Sequence, residues 1–151
     1  MLLKLRQRMA SEESGFTLVE LLVVMLILGL LAAIAIPSFF NQRDKAKDAS
    51  AKEAVRTAET SMETFATDHD GKYTGATAGT ATSDLNKIEP TLNDVGTRLT
   101  VDSATDTSYK VTVASENTPN TFSITRSSAG VTTLTCTVDG SDGCPSGGSW
   151  G

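Results

Sequence analysis

Hydrophobicity divides the first part of the chain into three stretches. Residues 1–15 carry Lys4, Arg6 and Arg8, then the polar run Ser11-Glu12-Glu13-Ser14-Gly15, with no uninterrupted apolar block. Leu18 to Ile36 reads LVELLVVMLILGLLAAIAI, 19 positions with one charge, Glu20. Counted from Phe16, the run is 21 residues long. A hydrocarbon layer of about 30 Å needs about 20 helical residues, so residues 16–37 are expected to form a membrane-spanning helix. The apolar region of a cleaved secretory signal is shorter, about 7–15 residues, and ends at a small-residue cleavage site, whereas this run leads into Pro37-Ser38-Phe39-Phe40. Pro37 cannot donate its N–H and crowds the preceding turn, so a kink or local melting is expected there.

From residue 38 to 70 the helical pattern continues as an amphipathic one. Val55, Ala58, Met62, Phe65 and His69 recur at steps of three or four, which predicts an apolar stripe. Arg43, Lys45, Asp48, Lys52, Glu53, Arg56 and Glu63 are expected on the opposite, solvated face. Residues 16–69 as one helix would extend roughly 80 Å. His69, the single histidine, is expected at the helix C-terminus, where an imidazolium is favoured, rather than in a catalytic or metal role. Asp68-x-Asp70-Gly71 hints at calcium but lacks the rest of a binding loop, and a turn is the expectation.

After Gly71 the chain changes character. Thr and Ser supply 27 of its last 81 residues. Alternation at Leu99/Val101, Tyr109/Val111/Val113, Phe122/Ile124 and Leu134/Cys136/Val138, with turn chemistry at 117–120 and 127–130, predicts an antiparallel meander with one buried face. The helical stripe supplies the surface to cover that face, which gives an α+β fold. Residues 71–96 read as an irregular connection and 97–151 as the sheet.

At 151 residues the chain fits one domain plus an appendage, and a net charge of −5 gives no support for direct nucleic-acid binding driven by phosphate attraction. The sequence holds no Ser/His/Asp arrangement, phosphate-cradling glycine loop or zinc spacing, so no enzymatic activity, metal or cofactor is expected.

Gly15-Phe16-Thr17-Leu18-Val19-Glu20, the apolar run behind it and Pro37 closely resemble the prepilin signature of type IV pilins and pseudopilins. The likeness covers residues 11–40, about a fifth of the chain. It implies a leader of residues 1–15, cleavage between Gly15 and Phe16 by a prepilin peptidase/methyltransferase, and N-methylation of Phe16. It further implies that 71–96 is the αβ loop and that the chain's main partner is itself, in a helical homopolymer built by an assembly platform and its ATPase. Physics gives Glu20 a matching role. A charge inside a membrane helix costs on the order of 2.5–3.5 kcal/mol and asks for a partner. Snorkelling to the headgroups is one answer; the other is the amine that cleavage would create on Phe16 of a staggered neighbour. Lipid and a leucine-lined filament core are about equally apolar, so such a pair would set register more than stability.

Cys136 and Cys144 enclose seven residues, and outside the cytoplasm such a pair is expected to form a disulfide; two thiols without histidine make a poor zinc site. This is similar to the disulfide-bounded C-terminal loop of many pilins, though short. Asp139 and Asp142 inside it are expected in a solvent-facing turn, and Trp150 either docks on the sheet or serves as an adhesive contact. Lys4, Arg6 and Arg8 argue for a cytoplasmic N-terminus in the inner membrane, although Arg43, Lys45, Lys47, Lys52 and Arg56 lie beyond the other end. The N-in orientation is preferred because long domains translocate largely regardless of charge. The expectation is thus a type IV pilin precursor whose surface filament serves adhesion, twitching motility or DNA uptake. The alternatives are a pseudopilin of a type II secretion system or a monomeric membrane-anchored binding domain that keeps residues 1–15.

Overall fold

A computed structural model describes residues 15–151, so the expected leader, apart from Gly15, lies outside the described residues. The chain divides into two units, 1–40 and 41–151. One helix, α1 (Leu18–Asp68), contributes to both.

In the first unit every described side chain is exposed. Leu18 onward is apolar on all sides, with an 18-residue window of mean hydropathy 2.9 and none of it buried. A helix hydrophobic all round has no solvated face and requires either a protein interior or a bilayer around it. By length and composition it is able to cross a membrane. Pro37 lies inside the helix without interrupting it.

The second unit is an α+β layer pair. The last five turns or so of α1 bury Ala51, Val55, Ala58, Met62, Phe65 and Ala66. Against them lies a four-stranded antiparallel meander, β1 (Leu99–Ala104), β2 (Tyr109–Ala114), β3 (Thr121–Arg126) and β4 (Thr132–Cys136), in sequential order. Its register aligns Val111 with Ile124, Val113 with Phe122, and Ile124 with Leu134. The inward rows are therefore continuous across strands, and Tyr109, Val111, Val113, Phe122 and Ile124 are buried. Each such side chain removed from water contributes about 1.5–3 kcal/mol before entropy is counted. The outward rows are hydroxyl-rich: Thr112 bonds Asp102 and Ser123, and Thr121 bonds Thr137.

α1 ends by a left-handed cap. Asp70 has φ +54° and Gly71 φ +78°, and the Gly71 N–H donates to Ala66 O at 2.8 Å, the six-to-one bond of a Schellman motif. The Asp68-x-Asp70-Gly71 run is therefore a helix terminator, as the turn reading has it. The connection to β1 holds the short helix α2 (Asp84–Ile88) and two 3-10 turns, Pro90–Asp94 and Gly96–Arg98. It is anchored by Leu85 and Leu92, which no periodic pattern marks and which are fully buried. The alternation expected to reach Val138 stops earlier, because β4 ends at Cys136, where the disulfide loop turns the chain back.

Candidate functional site

The first constellation stands at the start of α1. Thr17 N–H and Thr17 Oγ1 both donate to Glu20 Oε2 at 2.8 Å, and Glu20 N–H donates to Thr17 Oγ1 at 3.2 Å. This is a reciprocal capping box: a Thr before the first turn and a Glu three residues on satisfy each other's orphan donors. The Thr-x-x-Glu spacing carries that signal in the sequence, beside the charge that Glu20 brings to the apolar run. The box holds the carboxylate in one orientation through Oε2. Oε1 has no hydrogen-bond partner among the described residues. Gly15 and Phe16 precede the box in non-helical conformation, both exposed, Phe16 by 82%.

A second constellation corrects an expectation. Asp48, expected on the solvated face of the helix, is completely buried. Its Oδ1 accepts from Thr118 Oγ1 at 2.6 Å; its Oδ2 accepts from Asn120 Nδ2 and, at 2.9 Å, from the Gly143 N–H. One carboxylate thus joins three segments: α1, the β2–β3 turn and the disulfide loop. Burial pushes its pKa up, but donation from Thr118, the Gly143 N–H and Asn120 to the charged form outweighs it and holds the carboxyl below its usual range. Gly143 is a close-approach glycine, since a Cβ there would lie 2.5 Å from Asp48 Cβ. Glu63 is also drawn from the expected solvated face into contacts. Its oxygens accept from Tyr73 Oη at 2.7 Å and Tyr109 Oη at 3.0 Å, linking the helix to the loop and to β2, although half of its side chain remains exposed.

Cys136 and Cys144 are disulfide-bonded, with Cα atoms 5.8 Å apart. Asp139 Oδ1 accepts from the N–H groups of Gly147 and Gly148, which makes it a turn-closing acceptor. Trp150 is docked. Its Nε1–H donates to Thr135 O at 2.9 Å, its ring meets Phe122 edge-on at 5.9 Å, and Arg56 lies 4.9 Å above it. With the bridge between Thr135 and Ser149, this segment covers part of the β4 edge. His69 stacks on Phe65 at 3.8 Å and its Nδ1 contacts Phe65 O at 2.8 Å, a helix-end arrangement. Replacing both cysteines by serine is expected to lower stability by about 2.5 kcal/mol, the closure entropy of a loop this short. Thermal unfolding of wild type and double variant, each without reductant, checks this; equal midpoints would contradict it.

Residues 11–36 match a family model described as the prokaryotic N-terminal methylation motif. The chain carries that motif. It is similar to the type IV major pilin protein PilA of Myxococcus xanthus, 38% identical over 63 residues, which are 42% of this chain and 29% of that protein. It is also similar to the type II secretion system core protein G of Pseudomonas aeruginosa, 36% identical over 58 residues, 38% of this chain and 41% of the relative. A third relative is the competence protein ComGC of Halalkalibacterium halodurans, 33% identical over 59 residues, 39% of this chain and 58% of the relative. The chain spans well under two thirds of the length of these curated relatives. No solved structure matches significantly. The methylation motif contains the Gly15–Phe16 junction and the whole Thr17–Glu20 capping box, whereas Asp48 and the cysteine loop lie beyond it.

Proposed function

We propose that the chain is the structural subunit of a type IV pilus: anchored in the inner membrane by residues 16–37, cleaved between Gly15 and Phe16, methylated on Phe16, then polymerised. The observation that carries this reading is the exposed, all-round apolar start of α1, opened by a capping box directly after the Gly15–Phe16 junction. Cleavage would leave a charged amine on Phe16. The capping box fixes Glu20 through Oε2 and leaves Oε1 available, so the amine of a neighbouring copy has an oriented acceptor in a low-dielectric core, where charge pairs choose partner and register. A methyl group on that amine leaves it protonated and able to donate. The folded unit of residues 41–151 would then form the outer coat. The prepilin peptidase/methyltransferase, assembly platform and ATPase are the partners this reading implies, with the N-terminus cytoplasmic. Adhesion, twitching motility and DNA uptake are the roles open to such a fibre.

Intact-mass measurement on protein purified from membranes or fibres tests it. Loss of residues 1–15 together with the gain of one methyl group is the expected result; a chain that retains residues 1–15 would overturn the reading and favour a monomeric tethered domain. The likeness to core protein G supports a second reading, a pseudopilin that builds a short periplasmic piston. Long surface fibres in negative stain at native expression distinguish the first from the second.

A further inference from the structure

Charge in this chain is segregated. Residues 41–56 carry five basic side chains, Arg43, Lys45, Lys47, Lys52 and Arg56, against three acidic ones, while residues 57–151 carry five basic and twelve acidic. The excess of positive charge thus lies next to the apolar run. No charged residue occurs between Glu20 and Arg43. The expected span of residues 16–37 matches a hydrocarbon layer of about 30 Å, and the headgroup layer beyond it takes roughly five further residues on that side. Arg43 falls at the edge of that layer and Lys45 and Lys47 within about one turn beyond it, and side chains of their length reach back toward it. At 100° per residue, Arg43 and Lys47 share one face of the helix and Lys45 lies opposite, so the three surround it. Arg43 and Lys45 are exposed, Arg43 with Asp44 3.9 Å from its guanidinium; Lys47 pairs with Glu116 and is half-buried. Lys45 makes no ion pair among the described residues.

We propose that Arg43, Lys45 and Lys47 form a basic collar that binds anionic phospholipid headgroups at the end of the span remote from Phe16. The inference rests on the membrane-anchoring half of the proposed function and goes beyond it. The recognising chemistry is guanidinium and ammonium on phosphate, concentrated by the surface potential of an anionic leaflet. A collar of this kind makes sense of positive charges on the side of the membrane where topology rules do not place them. It holds the junction between span and folded unit at headgroup level until the subunit leaves the bilayer.

The test uses the full chain in nanodiscs of equimolar phosphatidylglycerol and phosphatidylcholine, with retained lipids counted by native mass spectrometry. Wild type is expected to retain phosphatidylglycerol about threefold over phosphatidylcholine. Arg43→Gln/Lys45→Gln, which leaves the Lys47–Glu116 pair in place, is expected to lose at least half of that preference with unchanged circular dichroism. Lys4→Gln/Arg6→Gln/Arg8→Gln is the control for the other leaflet. An unchanged preference in the collar variant, or one abolished by the leader variant alone, would overturn the proposal. Loss of cross-linked dimers in the collar variant, without a change in retained lipid, would assign the collar to the acidic surface of a second copy instead, which also overturns it. Failure of the wild type to enter discs at all would be a different result, the fall of the membrane anchor itself.

Discussion

Asp48→Asn is expected to lower the stability of the folded unit by about 3–4 kcal/mol, a large share of the 5–15 kcal/mol that holds a domain of this size together. The amide keeps one acceptor oxygen but turns an NH2 group toward donors that a carboxylate accepts from. Thr118, Asn120 and the Gly143 N–H all converge on this carboxylate in a site without water access. Thermal unfolding of the full chain in detergent micelles is expected to show a midpoint lower by roughly 12–20 °C. Gly143→Ala brings a Cβ against Asp48 from the other side and is expected to cost a similar amount. The two changes attack one site, so the double variant should fall well short of the sum. Full additivity would mean that the two residues do not share a network.

The sign of the pH dependence follows from the depressed pKa of Asp48. A carboxyl held lower in the folded than in the unfolded chain contributes stability that is complete above its unfolded value, about 3.9, and is lost as pH falls through the folded value. Wild type and Asp48→Asn should therefore differ fully at pH 6 and converge in acid. A gap that stays constant down to pH 2 would mean that the bonds at Asp48 do not depend on its charge.

Glu20→Leu is expected to leave membrane insertion intact or improved and to reduce filament yield at least tenfold. Removing a charge from the span saves on the order of 2.5 kcal/mol of insertion cost, so a defect in fibres cannot come from failure to enter the bilayer. Thr17→Val separates the two tasks of the carboxylate. It removes the hydroxyl that both donates to Oε2 and accepts from the Glu20 N–H, but keeps the charge. The cap is worth about 0.5–2 kcal/mol. If orientation by the cap matters to assembly, this variant should give an intermediate yield, with Glu20→Gln closer to Glu20→Leu because it keeps hydrogen bonding and loses charge. Membrane fractionation and electron microscopy on the same cultures supply both readouts. Abundant ordered fibres from Glu20→Leu would remove the electrostatic account of register.

Much of this protein was legible before any coordinates. The apolar run, the Gly15–Phe16 junction and the lone Glu20 are contiguous, and a membrane-length helix depends only on the count of consecutive apolar residues. The stripe at Val55, Ala58, Met62 and Phe65 and the two-residue alternation in β2 and β3 are local periods, and each became a buried face. The cysteine pair forms the disulfide expected of it, and of the two places open to Trp150 it takes the one on the sheet. The capping box stands in the sequence as Thr17-x-x-Glu20, two residues after the Gly15–Phe16 junction begins.

Asp48 marks the limit. It continues the same three- and four-residue steps, 48, 51, 55, 58, 62 and 65, so the periodicity places it on the buried stripe, while its charge argues for water. That conflict is settled by donors 70 and 95 residues away, the Thr118 hydroxyl and the Gly143 N–H, which replace the hydration the carboxylate loses. The sequence by itself determined which segments are greasy, which are periodic and where the chain turns, because those properties are carried by neighbours along the backbone. Only the tertiary structure decided whether an ionised group could be buried, because that requires a full set of hydrogen bonds from segments brought together by folding.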